Sequence, residues 1–260
     1  MKTARLHSHI PILLTLFILL WFLPDIAAWL DREPDRAWAR VRASGKIVFA
    51  TDASYPPFES VGSDGVFYGL DIDVAREVAR RIGATAEFRN VGIDALYDVL
   101  QAEQADASLS ALPIDPARLG KWTYSRPYFE AGLVLVAPAR SSLTEANDLP
   151  GHTIAVILGS DGDAWLRRYR RGQANIEAVH LDSPRDALAA VEDGRADAAL
   201  LDRVTVLQLK ARTAAQLTSE PYAIAVWGDS VDLLAAMDRA LAEMEADGTL
   251  NRMVDEWMSK

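Results

Sequence analysis

The sequence contains no cysteine. That absence removes disulfides, thiol nucleophiles, cysteine-held metals and a lipid-modified cysteine from consideration. Histidine is nearly as scarce, since only His152 and His180 lie beyond the N-terminal leader. The two lack the spacing of a zinc site, and no metal or other cofactor is expected. A serine triad fails as well, because Ser160 lacks the glycine pattern of a nucleophile elbow. Basic charge is in deficit: 27 Lys and Arg stand against 37 Asp and Glu, a formal net charge of −10. This balance argues against a nucleic-acid partner, which needs a basic face.

Long apolar runs are missing, with one exception from Ile10 to Leu23, preceded by Lys2 and Arg5 and broken by Pro24 and Asp25. This stretch is shorter than the roughly 20 residues that a spanning helix needs. Residues 1–28 therefore read as an export signal cleaved after Ala28 or, because Trp29 and Leu30 extend the apolar stretch, as an uncleaved anchor. Residues 29–45 read as a polar linker with a short helix that Gly45 ends before the first strand.

From residue 46 onward the chain alternates strand and helix patterns, which predicts an α/β fold with largely parallel sheets. At 260 residues, half of them hydrophobic, the chain supports one large core or two smaller ones. Residues 94–109 and 186–200 echo one another, each running from an acid-capped apolar helix into an acid-then-small strand. Two lobes of similar topology account for the echo. The helical segment 69–82 places Val74, Val78 and Ile82 on one face with Ala75 and Ala79, and its charges on the other. Asp71 is expected to cap it, with Asp73 in its first turn.

Taken singly, several polar residues have plain structural readings. Tyr55 and Phe58 read as core aromatics, Asp52 and Asp202 as caps, and Arg118 as a surface charge on a helix opened by Asp115 and Pro116. The turn at Gly159 leads into a helix whose first amides, at Ser160, Asp161 and Gly162, suit an anion.

The order of residue types in GLDIDVAREVARRI at 69–82 resembles the signature of the family 3 extracellular solute-binding proteins. IVFATDASYPPFE at 47–59, LPIDPARLGKW at 112–122, YSRPYFEAG at 124–132, ILGSDGDAWL at 157–166 and ADAALLDRV at 196–204 occur in the order of that family. The resemblance implies a two-lobed fold of the type II periplasmic-binding-protein kind, each lobe a mostly parallel sheet flanked by helices, with two hinge crossings. Lobe 1 would comprise 46–132 and 223–260, and lobe 2 would comprise 133–222. It further implies a monomeric, extracytoplasmic receptor that is not an enzyme and that delivers a polar amino acid or similar zwitterion to an ABC permease.

Carried over residue by residue, Asp52 and Tyr55 face the ligand from lobe 1, Arg118 forks its carboxylate, Ser160 and the amide of Asp161 complete that site from lobe 2, and Asp202 receives its ammonium. Three positions depart from the pattern. Pro113 stands where many members carry a hydroxyl, Ile93 where many present a second aromatic wall, and Asp161 brings a negative charge to the anion site. The same fold also serves exported lyases, for which Asp52, Glu59 and Asp115 are the available acids, and the sensing subunits of signalling systems.

Overall fold

Two five-stranded sheets organise the computed structural model, which describes residues 35–172 and 175–259. The first sheet runs β5 (Thr85–Asn90), β1 (Lys46–Thr51), β6 (Ala107–Ser108), β15 (Ala225–Trp227), β7 (Trp122–Tyr124). The second runs β11 (Glu177–Leu181), β10 (Thr153–Ile157), β12 (Ala198–Asp202), β9 (Leu133–Val136), β13 (Thr213–Gln216). Each sheet is mixed. In both, the second strand in this order pairs in parallel with its two neighbours, and the remaining pairs are antiparallel. Among the described residues the chain passes between the lobes twice, through β8 (Phe129–Ala131) and β14 (Glu220–Tyr222), which pair antiparallel as a two-stranded ribbon.

The internal echo has a concrete counterpart. Asp106, just before β6, accepts the Val48 amide of β1 at 2.8 Å, and Asp197, just before β12, accepts the Thr153 amide of β10 at 2.8 Å. In each lobe the acid secures the edge of a parallel pair. The helical halves of the echo differ: lobe 2 has α5 (Pro184–Glu192), whereas residues 93–101 of lobe 1 form a 3-10 turn and the one-turn helix α3 (Asp98–Gln101).

Helix α2 (Leu70–Arg81) buries the expected face, with Val74, Ala75, Val78 and Ala79 inaccessible to solvent and Ile82 packed at its edge. Its start corrects the sequence reading. Asp71 does not cap the helix; its side chain turns inward and accepts from the Ala111 amide and the Tyr128 hydroxyl, while Gly69 occupies the cap position. Gly69 has φ +136°, and a Cβ there would lie 2.0 Å from the Phe58 carbonyl oxygen, so no other residue fits the turn.

The segment expected as a linker does more than connect. Helix α1 (Arg36–Ser44) buries Ala37 and Val41 in the same core as α2 and the C-terminal helices α7 (Val231–Ala246) and α8 (Thr249–Met258). Asp35 caps α1 by accepting the Trp38 amide through one oxygen, and its other oxygen accepts the Asp232 and Leu233 amides at the start of α7. One buried carboxylate thus satisfies two helix N-termini. The leader, residues 1–28, lies outside the described residues. Among the described residues no helix is long and apolar enough to cross a membrane.

Asp35→Ala should lower the free energy of unfolding by about 2 kcal/mol, roughly one lost cap at each helix. Denaturant titration at neutral pH checks this, with a drop in midpoint at unchanged slope as the expected result.

Candidate ligand-binding cleft

Between the lobes lies a cleft of about 850 Å³. Its lobe 2 wall is built from the ends of β10 and β12 and the starts of the helices after them. Ser160 caps α4 (Asp161–Arg170) by accepting the Asp163 amide at 3.2 Å, which leaves the amides of Asp161 and Gly162 among the unpaired donors at the positive end of the helix dipole. Asp202 caps α6 (Arg203–Gln208), accepting the Thr205 amide at 2.8 Å through Oδ1, and its side chain is exposed to the cleft. Oδ2 makes no hydrogen bond among the described residues, so capping leaves one carboxylate oxygen for another donor. An anion-seeking helix end and a carboxylate therefore share one wall.

The lobe 1 side is set by the short strands β2 (Ser54–Tyr55), β3 (Glu59–Val61) and β4 (Phe67–Tyr68) and by the loop that joins β1 to them. A contiguous pocket of about 350 Å³, sharing Tyr55 and Tyr222 with the main cleft, is lined by Asp52, Ser54, Glu59, Ile93, Ser110 and Ala111. Tyr55 is half exposed and lies parallel to Phe58 with ring centroids 5.6 Å apart. Burial of its inner edge and the carboxylates of Asp202 and Glu220 push its phenol above the ordinary value, which places Tyr55 within electrostatic reach of the lobe 2 acid. Asp52 is an active cap: Oδ2 accepts the Ile93 amide at 2.9 Å and Oδ1 accepts the Ser54 hydroxyl at 2.7 Å.

Of the residues singled out from the sequence, the structure brings Tyr55, Ser160, Asp161 and Asp202 to the main cleft, and Asp52 and Ile93 to the pocket that adjoins it. Pro113 and Arg118 line neither. Pro113 is paired with Tyr222 in an isolated antiparallel bridge, which sets it behind a hinge tyrosine that itself lines the cleft. Arg118 ends a 3-10 turn, Pro116–Arg118, that Asp115 caps; its guanidinium is 4.2 Å above the Tyr97 ring and its Nε donates to Asp115 at 3.1 Å. Asp115 is occupied by the same contacts.

Other cleft residues escaped the sequence reading. Trp165 and Arg168 line the main cleft together with Asp161, one helix face at spacings of four and three. That periodicity was the available signal. Arg203, next to Asp202 at the start of α6, and Glu220 of β14 also line it; for Glu220, nothing local in the sequence distinguishes a hinge residue that faces a cleft from one that does not. The loop before α4 has its own brace: Asp163, buried, accepts the Gly159 amide at 2.9 Å, contacts His180 Nε2 at 3.2 Å and pairs with Arg167 at 3.2 Å. Burial alone would raise its carboxyl, but the amide, the imidazole and the guanidinium outweigh that and hold it below the ordinary 3.8.

Two lobes, a two-stranded hinge and a polar cleft walled by tyrosines define a hinged solute-binding protein of the type II class. Residues 47–260 match the bacterial extracellular solute-binding proteins, family 3, and the chain belongs to that family. It is 28% identical to the L-cystine-binding protein TcyJ of Escherichia coli strain K12, over 84% of this chain and 84% of that one. It is 30% identical to the ABC transporter arginine-binding protein 1 of the same strain, over 83% of this chain and 91% of that one. Among solved structures it is similar to the L-cystine solute receptor of Neisseria gonorrhoeae in the unliganded open conformation, with TM-score 0.74 and 26% identity over 86% of this chain and 97% of that one.

The Asp163 brace carries a pH signature. A carboxyl whose folded value is depressed stabilises the fold above its unfolded value, and that contribution is lost as pH falls through the folded one. Asp163→Asn should therefore melt below the wild type at neutral pH, and the gap should close only in acid below about pH 4, which thermal melts across an acid series would read.

Proposed function

We propose that this protein is an extracytoplasmic receptor that captures a polar amino acid or related zwitterion between its lobes and presents the closed form to an ABC permease. The observation that carries the reading is the pairing, on one cleft wall, of the α4 N-terminus with the exposed carboxylate of Asp202, opposite the Tyr55 ring. The first suits a ligand carboxylate and the second its ammonium. The ring supplies an apolar face for the rest of the ligand and attracts any cationic group placed over it. Family membership and the amino-acid-binding relatives support the same assignment.

In this reading lobe 1 is 46–132 with 223–260 and the docked helix α1, and lobe 2 is 133–222. The N-terminal leader directs export, and the receptor works as a monomer. Arg118 is the residue on which the ligand pose turns. To serve as a carboxylate fork it must exchange Asp115 for the ligand when the lobes close; Arg168, already in the cleft, is the alternative cation.

A thermal-shift panel of free amino acids that includes L-arginine and L-cystine tests the receptor reading. A ligand at a hundredfold excess over its Kd adds about 2.7 kcal/mol to stability, an unmistakable rise in melting temperature. No shift with any zwitterion overturns the proposal. With a shifting amino acid in hand, Asp202→Asn keeps the helix cap and should weaken binding tenfold or more by calorimetry at unchanged apo stability. Arg118→Lys and Arg168→Gln, titrated side by side, identify the carboxylate partner by which of them loses affinity.

A second reading, an exported lyase, draws on the acids Asp52 and Glu59 in the adjoining pocket. Prolonged incubation with the bound amino acid and then product analysis decides: unchanged solute supports the receptor, and conversion supports the enzyme.

A further inference from the structure

Two carboxyls meet inside lobe 1 with no cation beside them among the described residues. Glu59, at the start of β3, is 1% exposed, and Asp71, in the first turn of α2, is 0% exposed. One oxygen of each is well served. Glu59 Oε1 accepts from the Ser110 hydroxyl at 2.7 Å, and Asp71 Oδ2 accepts from the Ala111 amide at 2.6 Å and the Tyr128 hydroxyl at 2.9 Å. The other oxygen of each, Glu59 Oε2 and Asp71 Oδ1, is buried without any donor from the rest of the protein. The Asp71 amide donates to the Phe58 carbonyl at 2.9 Å, and the donors to the two carboxyls, Ser110 and Ala111, are consecutive, so the two side chains are held side by side. Two carboxylate oxygens are both acceptors, so a hydrogen bond between them requires that one of them carry a proton. A single shared proton satisfies both orphaned atoms at once and removes one of two like charges from a buried site.

The pair is wired to the ligand-facing loop. Ser110 Oγ, which donates to Glu59, also accepts the Asp52 amide at 2.9 Å, and Glu59 itself lines the pocket that contains Asp52, Tyr55 and Ile93. We propose that Glu59 and Asp71 share one proton, and that this proton is a positioning element which holds the 52–58 loop in its ligand-facing shape. Asp52 from the loop, Tyr55 from β2, Tyr128 from the approach to the hinge and Tyr222 from β14 are the titratable groups that face the pair. No Lys, Arg or His among the described residues pairs with either carboxyl.

Removing the proton leaves two buried carboxylates in contact, so Glu59 must turn toward the pocket or admit water, and the Ser110 link to Asp52 breaks. The direction of the pH effect is then fixed. Burial raises both carboxyls, that of Glu59 from its ordinary 4.5. Above that value the folded protein holds one proton more than the unfolded chain, so stability falls as pH rises and stops falling once the shared proton has left.

Glu59→Gln separates proton sharing from mere packing. Its amide keeps an acceptor for Ser110 and supplies a permanent donor to Asp71, reproducing the protonated pair without a titrating proton. Asp71→Asn does the reverse, donating to an ionised Glu59. At neutral pH the wild type should show the infrared band of a buried protonated carboxyl, and each single variant should lose it. Between about pH 6 and about pH 9 the wild type should lose melting temperature and amide protection across 52–58 faster than Glu59→Gln measured at the same pH. Absence of the band in the wild type, or parallel pH courses for the wild type and both variants, overturns the proposal. None of these measurements uses a ligand, so their outcome is independent of the receptor assignment.

Discussion

The Phe58 ring joins the ligand-facing loop to the hinge, and the geometry of the cleft depends on that contact. The side chain is inaccessible to solvent and meets Phe129 of β8 edge-on at 5.2 Å, Tyr222 of β14 edge-on at 5.4 Å, and Tyr55 in parallel at 5.6 Å. Aromatic pairs of these kinds contribute about 0.5–1.5 kcal/mol each beyond the area they bury. Because both crossing strands contribute a ring, the loop that carries Tyr55 is fixed to the hinge itself. The wall that lobe 1 presents is thereby tied to both crossing strands.

Among the described residues two strands join the lobes, and the turn out of β8 is tightly specified. Gly132 has φ +96°, and a Cβ there would stand 2.5 Å from the Thr218 carbonyl oxygen, while the Thr218 hydroxyl accepts the Leu133 amide at 2.8 Å. The first residue of lobe 2 on one crossing is thus pinned to the last residues of lobe 2 on the other. This arrangement suits a hinge, in which a few terminal residues absorb the rotation while both sheets stay intact. A ligand can shift such an equilibrium only by contacting one state more than the other, as the proposed solute between Tyr55 and the α4–Asp202 wall would. A micromolar site needs about 8 kcal/mol, within reach of a handful of charge-assisted hydrogen bonds at about 1.5–3 kcal/mol each plus a stacked ring.

Much of this fold was legible in the sequence because its signals are local. The period-four face of α2, the glycine turn before α4 and the acid-led strands at Asp106 and Asp197 each arise from neighbours in the chain, whereas Ser160, expected to offer its amide, caps α4 with its side chain and pairs its amide with the Ile157 carbonyl. Asp71 shows where local reading stops. An acid in the first turn of a helix is a natural cap, and only the three-dimensional approach of Ala111, Tyr128 and Glu59 turns it inward. Arg118 marks the same limit: the Asp115 cap and Pro116 start were read correctly, but Tyr97, whose ring lies 4.2 Å under its guanidinium, comes from a distant part of the chain. The cleft residues contributed by the hinge, Glu220 and Tyr222, had no sequence signature, because facing a cleft is a property of how two lobes are set against each other.

The central claim is that one solute touches both lobes and thereby favours a closed form. Small-angle scattering on the purified protein, with and without a saturating amino acid identified by thermal shift, measures this directly. The account predicts a smaller radius of gyration with the amino acid bound, and a loss of that compaction in Asp202→Asn at the same concentration. An unchanged radius at proven saturation would contradict it, because the bound solute would then rest on one lobe alone.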